Sequence, residues 1–514
     1  MSNGRPQYYE NNLTLPEITQ AALQGVLADL QAAVVDGVST IESDYPPSGQ
    51  YDGKGVFGGD IGIALAYLRL AHQTPSLAEQ RVDFHSLAAA RIPKDGPDFP
   101  LQIGGLSPLP SKSPLAAVVL RILQHSATGD AENISASDFT CLNDAVELAL
   151  SHGSVALYNG HNLGADEVLF GRAGLLWALL NIRARESHFP TAQKQLLRPI
   201  LESISKIISA IIQGGREGSA AYVEKHGEKG SLPLMWPWLP GHYGFGWAHG
   251  LTGILPILLS CRPEELHNDT DNYFPEIGIT VTALSKICIE HEGHLPTMVP
   301  PRSSSPRSLE LVQICHGAPA ILALLGVAMQ HTALVTDYWA PEWEQAISLA
   351  TDRVWEEGLL SKGGSLCHGI AGNAWPLLLL HDAYEYHAND PQKAAENYSA
   401  RTSRSVNPQN ELTGDYFLAR ALAMLLHARE TKPFNKDAEP ALNDYRMPDQ
   451  PYSFFEGLSG TLCAWAEACA VIRARLWRIE RGGAGVEDDS VLRGLRQQQL
   501  GFPCLGGNGA TGVL

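Results

Sequence analysis

The chain has 514 residues, 44% of them hydrophobic and 18% charged, with a formal net charge of −18. That length and composition describe a globular protein with room for a large core. The acidic excess argues against nucleic acid or an anionic membrane as the main partner, because both attract basic surfaces. The N-terminus, Met1-Ser-Asn-Gly-Arg-Pro, lacks the apolar core of a signal peptide. Apolar runs such as Leu251 to Cys261 fall well short of the ~20 residues that span a bilayer, so no transmembrane segment is expected. No basic cluster or acylation motif favours peripheral membrane contact. The eight cysteines show no disulfide-scaffold spacing. A cytoplasmic protein with reduced thiols is the expectation.

In chain order, a polar arm leads into a helical pattern around Ala21 to Val35. Next comes Phe57-Gly-Gly-Asp-Ile-Gly-Ile-Ala-Leu-Ala-Tyr67, a glycine, two residues, a second glycine and an apolar helix. The unit returns at Gly171-Arg-Ala-Gly174, Gly250-Leu-Thr-Gly253, Gly369-Ile-Ala-Gly372 and Gly457-Leu-Ser-Gly460, and at Gly317 with its first glycine only. A weaker copy starts at Gly104 and is split by a Ser/Pro insertion before Leu115. Spacings from about 45 to about 90 residues leave room for one helix pair per copy. Amphipathic segments lie between copies, at Gln193 to Ile212, Ile279 to Glu290 and Glu344 to Trp355. Strand signals are poor, with no long alternating runs and no Asn-Gly hairpins between β-branched stretches. The fold class predicted is all-α, an α/α toroid (a double barrel) of about seven helix pairs. Glycine lets each turn approach the toroid axis and start an inner helix there. The domains expected are 1–50 as arm and first helix, 51–472 as toroid, and 473–514 as an extension packing on it or trailing it. The stretch from Ala388 to Gly414 is polar and reads as a mobile loop, Pro300 to Arg307 is turn-rich, and Arg481 to Gln499 is charged and compatible with a helix.

The chemistry gathers at the glycine turns. Cys315-His316-Gly317 and Cys367-His368-Gly369 repeat 52 residues apart. Thiolate and imidazole are the usual protein ligands of zinc, and three of them leave a fourth position open for catalysis. Cys315 and Cys367 are the sulfur candidates, with His368 or His316 as the nitrogen. Helix N-termini favour the thiolate form. His249, in Trp247-Ala-His-Gly250, stands in the register of His316 and His368, one residue before the glycine. Three such histidines converge on one mouth, and one that binds no metal is free to move a proton. Glu456 shares the register, while Asp166 and Glu167 either reach the same mouth or cap a helix.

These motifs carry a resemblance. Gly171-Arg-Ala-Gly, Ala248-His-Gly-Leu-Thr-Gly253, Val312-Gln-Ile-Cys-His-Gly-Ala-Pro319, Leu366-Cys-His-Gly-Ile-Ala-Gly-Asn373 and Ser453-Phe-Phe-Glu-Gly-Leu-Ser-Gly-Thr461 resemble those of eukaryotic LanC-like proteins, relatives of the bacterial lanthionine cyclases. The resemblance runs from about Phe57 to Ala466. It implies an α/α toroid with zinc on Cys315, Cys367 and His368. It also implies glutathione as co-substrate, added to dehydroalanine or dehydrobutyrine in polypeptides. The glutathione contacts it implies are Lys362, five residues before Cys367, and Arg446 and Asp449 in Arg446-Met-Pro-Asp449. On that reading His249 and His316, with Glu167, supply the acid–base chemistry. Two positions depart from the pattern. Ile314 stands where Trp usually precedes the cysteine, and Leu311 replaces the arginine of the bacterial cyclases, which speaks against ring formation in the bacterial manner. A non-catalytic zinc- and glutathione-binding signalling scaffold is the alternative. A zinc prenyltransferase toroid fits less well, since it usually has a carboxylate ligand. A glycosidase toroid needs paired acids where this chain has Cys and His.

Overall fold

The computed structural model describes residues 5–505 apart from 49–52, 78–81, 96–98, 159–160, 302–309, 387–390, 407–410, 436–443 and 484–488. Most of the turn-rich stretch to Arg307, parts of 388–414 and the last nine residues therefore lie outside the described residues.

Seven inner helices form a closed ring. In order they are Asp60–Gln73, Leu115–Thr128, Arg172–Ala184, Leu251–Leu259, Ala318–Gln330, Ile370–Tyr386 and Leu458–Glu480. Each packs on the next, and the seventh packs on the first, which makes the architecture an α/α toroid. Outer helices cover them. Gln20–Asp44 lies on the seventh, Ala136–Ser151 on the second, Ile204–His226 on the third, Phe274–Glu290 and Pro341–Glu357 on the fifth, and Gly414–His427 on the sixth. The inner helices are apolar all round because they are enclosed all round. In the fourth, Leu251–Leu259, every residue is buried. Taken singly, Gln20–Asp44 is the one described helix long and apolar enough to cross a bilayer, yet its Leu23, Leu30, Val34 and Ile41 are buried in this protein's own core.

The inner helices start without side-chain caps. Gly59, Gly171, Gly250, Gly317 and Gly457 precede five of them, and none can offer a capping oxygen. The unpaired N–H groups of the first turn need other acceptors. They find them in the loop just before the helix, which curls back over its start. Ile370, Ala371 and Gly372 donate to the carbonyls of Gly363, Gly364 and Ser365, and Leu458 and Thr252 donate likewise to Pro451 and Phe245. The second glycine of the repeat makes this curl possible. A Cβ on Gly372 would lie 1.7 Å from the Leu366 carbonyl oxygen, and one on Gly253 would lie 1.9 Å from that of Trp247.

The segment 490–505 packs into the ring. Helix Ser490–Gln497 packs on the seventh inner helix, and Leu500, Phe502, Cys504 and Leu505 are buried. The Leu500 N–H donates to the Glu467 carboxylate, Arg69 donates to Gly501 O at 2.9 Å, and the Phe502 ring meets Trp247 and Trp375 edge-on.

Three expectations need correction. Strands Val155–Tyr158 and His161–Gly164 pair antiparallel, with Asn159 and Gly160 between them outside the described residues, and four-residue strands are too short for alternation to reveal. A second small sheet joins Pro237–Leu239, His242–Gly244 and Met298–Val299. Within 388–414, the stretch read as a loop contains helix Pro391–Thr402. That helix is anchored by buried Ala394 and Ala395 and by Arg401, which donates to the Thr336 and Trp339 carbonyls. Finally, the amphipathic segment from Gln193 is two helices, Thr191–Glu202 and Ile204–His226, meeting at Ser203.

Candidate functional site

The loops before the inner helices meet at one end of the ring and are bonded backbone to backbone. Leu169 donates to Ala248, Trp247 to Ile314, Cys315 to Cys367, Cys367 to Phe455, Phe455 to Phe57, and Phe57 to Leu109. Each inner loop is thereby held against its neighbour at every junction but that of the second and third. The histidines, cysteines and acids singled out from the sequence all sit on these loops.

Cys315, Cys367 and His368 come together, with one donor atom from each within 4.8 Å of the others. Both cysteines are buried and His368 is partly open. Among the described residues no carboxylate belongs to this cluster, although Glu456 Oε1 lies 3.9 Å from His368 Nε2. Gln313 Nε2 donates to Cys315 Sγ at 3.1 Å. A hydrogen bond from Cys367, then one from His368, hold the Cys315 thiol well below its ordinary value, against burial. Sharing that bond, with burial added, pushes Cys367 well above it. Two sulfurs thus compete for one proton in a water-poor site. Two soft sulfurs and one imidazole are a donor set that fits zinc. His316 is not part of the cluster.

The other two histidines form a stack beside it. His249 Nδ1 and Glu167 Oε2 are 2.6 Å apart, and the Glu167 side chain is 1% exposed. Burial pushes the Glu167 carboxyl up, and His249 opposes that shift. Trp238 lies flat on His249, with centroids 4.5 Å apart and planes 8° apart, and stacks on His316 at 5.5 Å. The two imidazoles are 5.9 Å apart. Burial holds His316 below its ordinary value, and nearby His249 and Lys362 add to the effect. Asp166 turns the other way. It pairs with Arg172 at 2.7 Å in the interior, where Arg172 also reaches the carbonyls of Ala149 and Gly153. It holds the third loop in place and does not line the mouth.

Lys362 and Arg446 are brought onto adjoining backbone, since the Arg446 N–H donates to Ser361 O at 2.9 Å. Lys362 is exposed, and its charge reaches Cys367 and His316. Arg446 forms an exposed ion pair with Asp449. The N-terminal arm borders this edge. Tyr9 N–H donates to Leu359 O, Ser361 donates to Pro6 O, and Arg5 pairs with Asp444. Trp238 is the residue that sequence reasoning missed. Its only signal is a Trp-Pro-Trp run before the glycine turn at Gly250, and that run says nothing of stacking.

Comparison with known proteins gives four results. Residues 116–471 match the family model described as lanthionine synthetase C-like protein. The protein named glutathione S-transferase LANCL1 from Danio rerio is 26% identical over 419 residues, covering 81% of this chain and 82% of its own. LanC-like protein GCL1 from Arabidopsis thaliana is 27% identical over 312 residues, covering 60% and 56%. Among solved structures, nisin cyclase is 14% identical with a TM-score of 0.34, covering 86% of this chain and 94% of that one.

Proposed function

The chain belongs to the lanthionine synthetase C-like family, and from that membership we propose that it is a zinc-dependent enzyme adding glutathione to dehydroalanine or dehydrobutyrine in polypeptides. The observation that carries this reading is the juxtaposition of a Cys315–Cys367–His368 donor set with a carboxylate-backed imidazole, His249 on Glu167. The name of the Danio rerio relative supports glutathione as the thiol. Free thiols at all eight cysteines support a cytoplasmic setting.

Cys315, Cys367 and His368 would hold the zinc, which when bound supplies the Lewis acidity that lets a thiol ionise at neutral pH. Lys362, Arg446 and Asp449 match the two carboxylates and one ammonium of glutathione and would orient it. The carbon–sulfur bond forms at the β-carbon of the dehydroamino acid. The π electrons move toward the α-carbon and its carbonyl, and a proton must then arrive at the α-carbon. His249 is the better donor of the two. Glu167 places a counter-charge on its Nδ1 side and leaves Nε2 for the substrate, whereas burial disfavours a protonated His316. His316, stacked on the same indole, orients the polypeptide.

The test is zinc content of the purified chain, with mass spectrometry of a dehydroalanine peptide incubated with glutathione. Stoichiometric zinc and a glutathione adduct, both lost in Cys315→Ala and Cys367→Ala, are the expected result. Zinc and glutathione binding without an adduct would favour the non-catalytic scaffold. Turnover retained by a zinc-free variant would overturn the mechanism.

A further inference from the structure

At the opposite end of the ring, where the inner helices finish, lies a cavity of about 190 Å³. It is bounded by the ends of the first two inner helices, by His85 on helix Phe84–Ala89, and by Arg185, which closes the third. Its polar side chains are His72, His85 and Arg185, set among leucine and alanine.

Arg185 is the unusual member. Its guanidinium is half-buried, and among the described residues it has neither an ion-pair nor a hydrogen-bond partner. Burial shifts it downward, and no described charge offsets that cost. Its positive charge adds to the burial that depresses His72. The Nδ1 of His85 is buried and has no partner among the described residues. Asp83, two residues before His85, is committed to its helix cap, accepting from Ser86 N–H at 3.0 Å and Ser86 Oγ at 2.6 Å, and Glu186, next to Arg185 in the chain, is exposed and makes no pair with it. In a chain with a net charge of −18, a cation half out of water and without a counter-charge is out of keeping with its surroundings. Two buried guanidiniums of the same chain show the usual solution, as Arg91 meets Glu42 and Asp60, and Arg121 meets Asp138.

We propose that this cavity is a binding site for a phosphate-class oxyanion, with Arg185 as the charged anchor and His85 as a second donor. The planar fork of a guanidinium suits a tetrahedral oxyanion. The volume is below the ~300 Å³ at which pockets for drug-sized ligands begin, so the ligand is one oxyanion group rather than a nucleotide. Inorganic phosphate and the phosphate of a monoester share that chemistry. The site lies across the ring from Cys315 and Cys367 and is independent of the thiol chemistry.

The experiment is thermal unfolding of the full chain in inorganic phosphate, against sodium chloride of equal ionic strength. A saturable, phosphate-specific rise in Tm is expected, because a ligand that binds only the folded state stabilises it. Arg185→Gln should weaken the half-saturation by at least about tenfold, the loss of one charge-assisted hydrogen bond. His85→Phe should weaken it less, and gives a second reading if Arg185→Gln fails to fold. Cys367→Ala should leave the effect unchanged. Competition by O-phosphoserine would identify a monoester site, and its absence a site for the free ion. A rise equal in chloride, or one that survives Arg185→Gln and His85→Phe, would overturn the proposal.

Discussion

Glu167 is sealed from solvent behind His249, and one of its oxygens, Oε1, is buried without a partner among the described residues. Such a carboxylate acts by fixing the tautomer and aim of the imidazole in front of it. In Glu167→Gln the geometry is retained and the counter-charge is lost. We expect kcat for thiol addition to fall by roughly 10²-fold, with zinc content unchanged. An equal loss of metal would show that Glu167 acts on the cluster instead. Trp238 makes a second prediction. Flat stacking contributes about 0.5–1.5 kcal/mol, so Trp238→Ala should lower kcat by about tenfold at most. Trp238→Phe should recover most of that, and the KM for glutathione should hardly move, because Lys362 and Arg446 sit on other loops. At this scale the cysteines and His249 were legible from the sequence, since their place relative to a repeated glycine is a local property. The Glu167–His249 pair was only half legible, because the partners are 82 residues apart. Trp238 was not legible, since strands of three residues leave no period to read.

The repeated glycines were legible as elements because each does a geometric job that no other residue type can do. The Leu366 carbonyl that Gly372 admits belongs to the residue before Cys367. Gly372→Ala should therefore cost about 1–3 kcal/mol by overpacking, and should lower zinc occupancy more than a substitution of equal cost on an outer helix. Urea denaturation and metal analysis, read together, check this. The hairpin at Val155–Gly164 and the helix Pro391–Thr402 escaped the sequence for opposite reasons. The first has strands too short to show a pattern. The second has the polar composition of a loop, and it is held by two buried alanines and one arginine reaching carbonyls more than sixty residues away.

Closure of the ring is a property of the whole molecule, since the first and last inner helices meet across most of the chain's length, and sequence shows the number of units but not the seam. The seam and the chain end share a buried polar group. Burial pushes the Glu467 carboxyl up to about 8, while Arg69, the Leu500 N–H and Gln73 pull it down. Its folded pKa lies above the unfolded value, so the folded state holds the proton more tightly. Its contribution to stability is complete below about pH 4.5 and is lost as pH rises through about 8. Glu467→Gln keeps an acceptor for Leu500 and removes the titration. It should flatten the fall in Tm between pH 5 and 8, and an unchanged slope would mean the carboxyl is already ionised at pH 5. The chain of backbone bonds around the mouth has a further consequence. Cys367 is a node in that chain, accepting from Cys315 and donating to Phe455. A metal held by Cys315 and Cys367 would act there as a rivet, fastening by coordination the same two loops that the peptide groups already join. Chelation should then speed hydrogen exchange first at the amides of Cys315 and Cys367 and spread from there to Trp247 and Phe455, so that the rim loosens from one point outward while the outer helices stay protected.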